Sequence, residues 1–150
     1  MNSDLILKLM AIALNLITMI FLSIEDLKNK TVNWIPIAAL AAVNVTLSVI
    51  LHRPLLNYLT GIAPGLMGVL TSFATKGKMG LGDGLLLVSA GLFFDWETVL
   101  FLWLVALLLC SAVGIVMMLL KKAGLKTALP FVPFLTMGFA IVQITEIFWK

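Results

Sequence analysis

Hydrophobic residues gather into six runs along the chain, at about Leu5 to Ile24, Ile35 to Leu51, Leu55 to Thr75, Leu81 to Phe94, Thr98 to Leu120 and Leu129 to Trp149. Most approach the ~20 residues that carry an α-helix across roughly 30 Å of hydrocarbon, so each run predicts a helix in a bilayer. The breaks between them, "EDLKNKTVNW", "HRP", "KGKMG", "DWE" and "KKAGLKTA", are rich in charge or turn formers. The expected fold is therefore all-α, a polytopic bundle of about six transmembrane helices. The fourth run stands apart. From Asp83 to Asp95 a helix rises only about 18 Å. Either the bilayer thins there or Asp83 lies below the membrane surface in a wet cavity, and both place this acid within reach of water.

Composition agrees. A chain of 150 residues that is 62% hydrophobic and 11% charged, with mean hydropathy +1.16, has too little polar surface to cover a soluble globule. Six crossings also use its length, so a single transmembrane domain over residues 1–150 is expected. The first run is too long for a cleaved signal segment and lacks a small-x-small cleavage pattern, so it reads as a retained helix. Assigning alternate breaks to alternate sides collects Lys28, Lys30, Lys76, Lys78, Lys121, Lys122 and Lys126 on one side, seven of the ten basic residues. The positive-inside rule makes that side cytoplasmic and turns both termini outward. Asp4, Asp95, Glu97 and Glu146 fall on the other side, with Lys8, Arg53 and Lys150 near them. The net charge of +3 is thus a matter of topology and not of nucleic-acid binding. Cys110 is alone, which excludes an intramolecular disulfide and a CxxC metal site and reads as a structural thiol. His52, beside Arg53 and Pro54, reads as a surface loop residue.

Three acids remain to be explained: Glu25, Asp26 and Asp83. A carboxylate at membrane depth costs about 2.5 to 3.5 kcal/mol on insertion scales, so a chain generally keeps one for function or for a partner. Parity puts the end of the first crossing and the start of the fourth on the same face, so these acids can meet. Two carboxylates brought together share a proton. One then acts as general base on a water while the other donates to a carbonyl. Glu25 and Asp26 point about 100° apart on a helix, and spacing alone does not decide between them. Gly80 and Gly82, in "GLGD", permit positive φ and close backbone approach, either for an extended substrate strand or for tight helix packing.

Three stretches together resemble the type IV prepilin peptidases, membrane aspartic proteases of the GxGD type. "GLGD", Gly80 to Asp83, is similar to the family's signature around its second aspartate. "DLKNKTVNWIP", Asp26 to Pro36, resembles the segment of its first aspartate and so selects Asp26 over Glu25. "LPFVPFLTMG", Leu129 to Gly138, is similar to the proline and phenylalanine run that begins its last helix. Pro36 also suits a first helical turn and Trp34 the headgroup level. Many members carry a lysine two positions after the second aspartate, where this chain has Leu85. Long members add a segment with paired CxxC zinc ligands and an N-methyltransferase activity, whereas this chain resembles the short, peptidase-only form.

The resemblance implies removal of a basic leader, typically after a Gly, from prepilin-like precursors at the cytoplasmic face of the inner membrane. Asp26 and Asp83 are the implied catalytic pair, supported by Gly80 and Gly82. The lysines on that face would not attract a basic leader, so affinity is expected from the precursor's apolar stem lying against the bundle. Aspartic chemistry needs no metal, and the chain carries no His, Cys and carboxylate cluster to hold one, so no cofactor is expected. Two other readings stand beside it: a small multi-pass transporter or proton-conducting bundle using the same acids, and an intramembrane protease of the presenilin type, which shares GxGD.

Overall fold

A computed structural model describes residues 3–29, 32–74, 80–120 and 129–149. These form helices α1 (Ser3–Asn29), α2 (Trp34–Ile50), α3 (Leu55–Gly61), α4 (Ala63–Ala74), α5 (Leu81–Gly91), α6 (Trp96–Leu119) and α7 (Val132–Trp149), with no strand among the described residues. Lys30, Lys76, Lys78, Lys121, Lys122 and Lys126, on which much of the charge asymmetry rests, lie outside them.

The six predicted runs are present, with three differences that have local causes. Helix α1 continues through Glu25 and Asp26 to Asn29, since Glu, Leu and Lys are good helix formers and Lys28 suits the negative end of the helix dipole. The third run is divided at Ile62, one turn after Tyr58, whose carbonyl accepts the Ile62 amide at 3.1 Å. Pro64 follows, and its ring has no N–H to continue the ladder, so α3 ends and α4 begins in one apolar stretch, Leu55–Ala74. Helix α7 starts at Val132 rather than Leu129, because Pro130 and Pro133 both sit where a backbone donor would otherwise be needed. Pro133 is accommodated in the first turn.

Among the described residues, three helices or helix pairs are long and apolar enough to cross a membrane, Asp4–Asn29, Leu55–Ala74 and Trp96–Leu119. Their outward faces carry Ile17, Phe21, Leu70, Phe73, Leu108 and Leu119, all well exposed. A surface so uniformly apolar is satisfied by lipid tails and not by water.

Helix α5, only 11 residues long, is the most enclosed, with Asp83, Gly84, Leu86, Leu87, Ser89, Ala90 and Gly91 all buried. It packs against α4 above all, and also against α2, α3 and α6. The approach to α3 and α4 is backbone to backbone. A Cβ on Gly84 would lie 2.6 Å from the amide nitrogen of Val69, and one on Gly91 would run into the Gly61 carbonyl. In lipid, where apolar burial drives little helix association, such approach through small residues supplies the van der Waals contact that holds helices together.

Polar side chains fix the register. Asn15 on α1 and Asn44 on α2, both fully buried, exchange amide bonds at 2.8 and 3.2 Å, and Asn44 Nδ2 donates a further 2.8 Å bond to the Ser89 carbonyl of α5. Ser48 donates to the Leu92 carbonyl at 2.8 Å. Helices α1, α2 and α5 are thereby tied at one level. Such bonds average about 0.6 kcal/mol in a bilayer, modest in energy but specific in geometry.

The glycine contacts predict a measurable asymmetry. Gly91→Ala should cost about 1 to 3 kcal/mol, because the colliding atom is backbone and cannot swing aside. Gly114→Ala meets only the flexible Leu129 side chain, at 3.4 Å, and should melt like the parent. Thermal unfolding in detergent compares the two, and equal melting would contradict the packing described.

Candidate active site

The buried stripe of α1 runs through Ala11, Asn15, Met19, Leu22 and Asp26 at spacings of four, four, three and four residues. Asp26 therefore turns inward with the stripe and is only 6% exposed. Glu25, its neighbour, points elsewhere. Its Oε2 accepts the Asn33 amide at 3.4 Å, while the Asn33 side chain caps α2 through the Ile35 amide at 3.0 Å. Glu25 thus braces the start of α2, a structural task distinct from that of Asp26.

Asp26 is held by the first turn of α7. The backbone N–H of Val132 donates to its Oδ2 at 3.1 Å. Val132 opens the helix, so its amide has no partner within α7 and carries part of the positive end of the helix dipole. One turn further along, the Thr136 hydroxyl lies 2.6 Å from the Ser23 hydroxyl and donates to the Met19 carbonyl at 3.2 Å. These contacts clamp α7 to α1 directly beneath Asp26.

Asp83 is set in the first turn of α5, with Gly80 as the residue preceding the helix. Its side chain reaches back to the Gly80 backbone N–H, as the third residue of a helix does in a capping box. Gly80 must be bare for this, because a Cβ there would stand 2.6 Å from Asp83 Oδ2. Gly82 must be bare for another reason: its Cβ would stand 2.8 Å from that of Val32, which follows α1. The connection after Asp26 is thereby allowed against the helix that carries Asp83. Gly80 has φ −61°, so the pair of glycines supplies room and not the left-handed backbone that glycine also permits.

The structure brings the sequence-predicted residues together. Asp83 is 5% exposed and lies close enough to Asp26 for the charge of one to act on the other. Neither is in an ion pair with a cation among the described residues, where Arg53–Asp95 is the salt bridge found. Two carboxyl groups held near one another without a counter-cation are an arrangement in which one can act as base and the other as acid. Such a pair can take a proton from water and give one to a carbonyl oxygen. Among the described residues no three His, Cys, Asp or Glu side chains are grouped for a metal. Leu85, two positions after Asp83, is exposed at 36% and lies outside the buried set of α5.

One contributor is not visible from side chains, the Val132 amide. "PFVPF" reads as a plain helix start, and the signal that Val132 is special lies in Pro133, which makes Val132 the last free backbone donor before the ladder of α7 begins. Asn15 and Ser23 carry a clearer signal, since together with Ala11 and Asp26 they place small or polar residues at near-helical spacing inside an apolar run.

A family model described as "Type IV leader peptidase family" matches residues 13–115, more than half of the chain, and includes both Asp26 and Asp83 while ending before α7. Neither the curated proteins nor the solved structures gave a match. With a matched stretch of that extent laid over an all-helical bundle suited to a membrane, this chain belongs to the type IV leader peptidase family.

Proposed function

We propose that this chain is a membrane-embedded aspartic endopeptidase that removes the leader from prepilin-like precursors, whether type IV pilins, pseudopilins or archaeal flagellin-like proteins. The observation that carries the reading is the meeting of Asp26 and Asp83, two enclosed acids 57 positions apart in the chain, each held by a backbone amide at a helix start. Family membership supports a peptidase and a protein substrate.

In the proposed reaction the ionised carboxylate takes a proton from a water, whose oxygen attacks the scissile carbonyl. The protonated partner donates to the carbonyl oxygen, giving a neutral tetrahedral intermediate. Collapse breaks the C–N bond: a hydroxyl of the intermediate returns its proton to the ionised carboxylate as the carbonyl re-forms, the protonated carboxyl gives its proton to the departing nitrogen, and the pair again shares one proton. Amides on Asp26 and Asp83 fix both carboxylates in advance, so little reorganisation is needed as charge moves. The dyad lies at the cytoplasmic face of the inner membrane in this reading, on the side of the lysine-rich breaks. The precursor's apolar stem lies against the bundle and its leader junction reaches the short helix α5. Gly80 and Gly82 serve the placement of the two acids, since the space beside each is already taken by Asp83 and Val32.

The deciding experiment presents a precursor with a basic leader, a Gly at the junction and an apolar stem to the protein in liposomes. Asp26→Asn and Asp83→Asn are each expected to lower cleavage roughly a thousandfold or more, as loss of an essential proton-transfer group does. Glu25→Gln should leave cleavage largely intact. Cleavage that survives both aspartate substitutions would sink the mechanism, and a transporter or proton-conducting bundle would cut in none of these arms.

The α7 amide yields a second expectation. Val132→Pro removes the donor to Asp26 while keeping a residue suited to the first helical position. A hydrogen bond to a charged group is worth about 1.5 to 3 kcal/mol, so turnover should fall about ten- to a hundredfold with the helix retained. Circular dichroism and a cleavage time course on the same sample read both quantities. Unchanged turnover would show that the amide does not position Asp26.

A further inference from the structure

The first turn of α7 has a single amide to give away. Phe134 and Leu135 both return their N–H groups to the Phe131 carbonyl, at 3.0 and 3.1 Å, and Pro133 has none to give. Val132 alone of these four reaches outward, and it meets Asp26. One such bond sets a distance but not a rotation, so the aim of the amide depends on whatever keeps α7 from turning about its own axis. Apolar contact is a weak restraint here. Val132, Leu135 and Phe139 form a buried edge of α7, yet in lipid apolar burial adds little force between helices.

The second point of attachment is polar. The half-buried Thr136 hydroxyl lies 2.6 Å from the Ser23 hydroxyl, 3.2 Å from the Met19 carbonyl and 3.0 Å from the Val132 carbonyl of its own helix, while Ser23 lies 2.7 Å from the Met19 carbonyl. Each hydroxyl has one proton, so these contacts cannot all be bonds at once. At 2.6 Å a proton must lie between the two hydroxyls, and the other proton goes to a carbonyl. The two residues are then unequal. With Ser23 removed, Thr136 still reaches across to the Met19 carbonyl of α1. With Thr136 removed, Ser23 keeps only a bond to Met19 inside α1, and nothing in this group crosses to α7.

We infer that Thr136 is a positioning residue for the proposed reaction: its hydroxyl fixes the rotation of α7 on α1 and so aims the Val132 amide at the Asp26 carboxylate. The lever is short, since Thr136 stands about 6 Å beyond Val132 along α7 and Ser23 about 4.5 Å before Asp26 along α1. Two cross-links one turn apart hold a helix against both sliding and turning. The effect on turnover rests on the peptidase reading, whereas the aiming of the amide does not.

Thr136→Val keeps the volume and the β-branch while removing the hydroxyl, and Thr136→Ser restores it. In the cleavage assay on the full chain, Thr136→Val should lower kcat about tenfold with KM nearly unchanged, Thr136→Ser should recover most of that loss, and Ser23→Ala should cost no more than about twofold. A double-mutant cycle separates aiming from plain support of the fold. Once Val132→Pro has removed the amide, adding Thr136→Val should lower kcat by less than about twofold further. Full multiplication of the two losses, or equal effects of Thr136→Val and Ser23→Ala, would overturn the inference. A second readout needs no cleavage. In protein carrying isotope-labelled valine, hydrogen exchange at the Val132 amide should quicken about tenfold in Thr136→Val and stay near the parent rate in Ser23→Ala, at unchanged helix content. Thr136→Ala repeats both readings if the branched variant does not fold. Val132 protection that survives loss of the Thr136 hydroxyl overturns the inference whatever the protein cleaves. The expected exchange pattern in a parent that cuts nothing supports the aiming and counts against the peptidase reading alone.

Discussion

Backbone contact between α5 and the α3–α4 span is the constraint on which the remaining arrangement depends. An 11-residue helix rises about 16 Å and cannot by itself match a bilayer of roughly 30 Å, so it is stable in lipid only where neighbouring helices surround it. Gly61, Gly65, Gly68, Gly84 and Gly91 supply that enclosure by letting main chains touch. Once α5 is fixed at the centre, its first turn has a fixed place too. Asp83 inherits its position from packing that begins at the far end of the same helix.

The acids are then arranged by two opposite devices. Asp83 depends on missing atoms, since Gly80 and Gly82 leave volumes that the carboxylate and Val32 fill. Asp26 depends on a supplied group, the Val132 amide, and on the Ser23–Thr136 clamp below it. Removing a Cβ and adding an N–H reach the same end, a carboxylate that has one orientation.

Much of this was legible in the sequence because a bilayer imposes simple rules. Six apolar runs placed the helical segments correctly, three of them long enough among the described residues to cross a bilayer, and parity put the segments of Asp26 and Asp83 at one end. What was not legible is mostly backbone chemistry. The break at Ile62 follows from Pro64, two positions later, in a run whose hydropathy hardly changes. The choice of Asp26 over Glu25 came from the resemblance of "DLKNKTVNWIP" and not from spacing; its physical cause is a buried stripe beginning at Ala11, four turns away. The Val132 amide has no side-chain signature at all.

The bond between Asp26 and Val132 joins the first helix to the last across 106 positions. A chain emerging from the ribosome in order places α1 in the membrane long before α7 exists. Until that last helix is inserted, Asp26 lacks its amide, its hydroxyl clamp and the wall that keeps lipid from the acid. Maturation of the site is therefore tied to completion of the polypeptide. A truncated or half-inserted product carries both acids and the whole GLGD stretch yet lacks the arrangement that orients them.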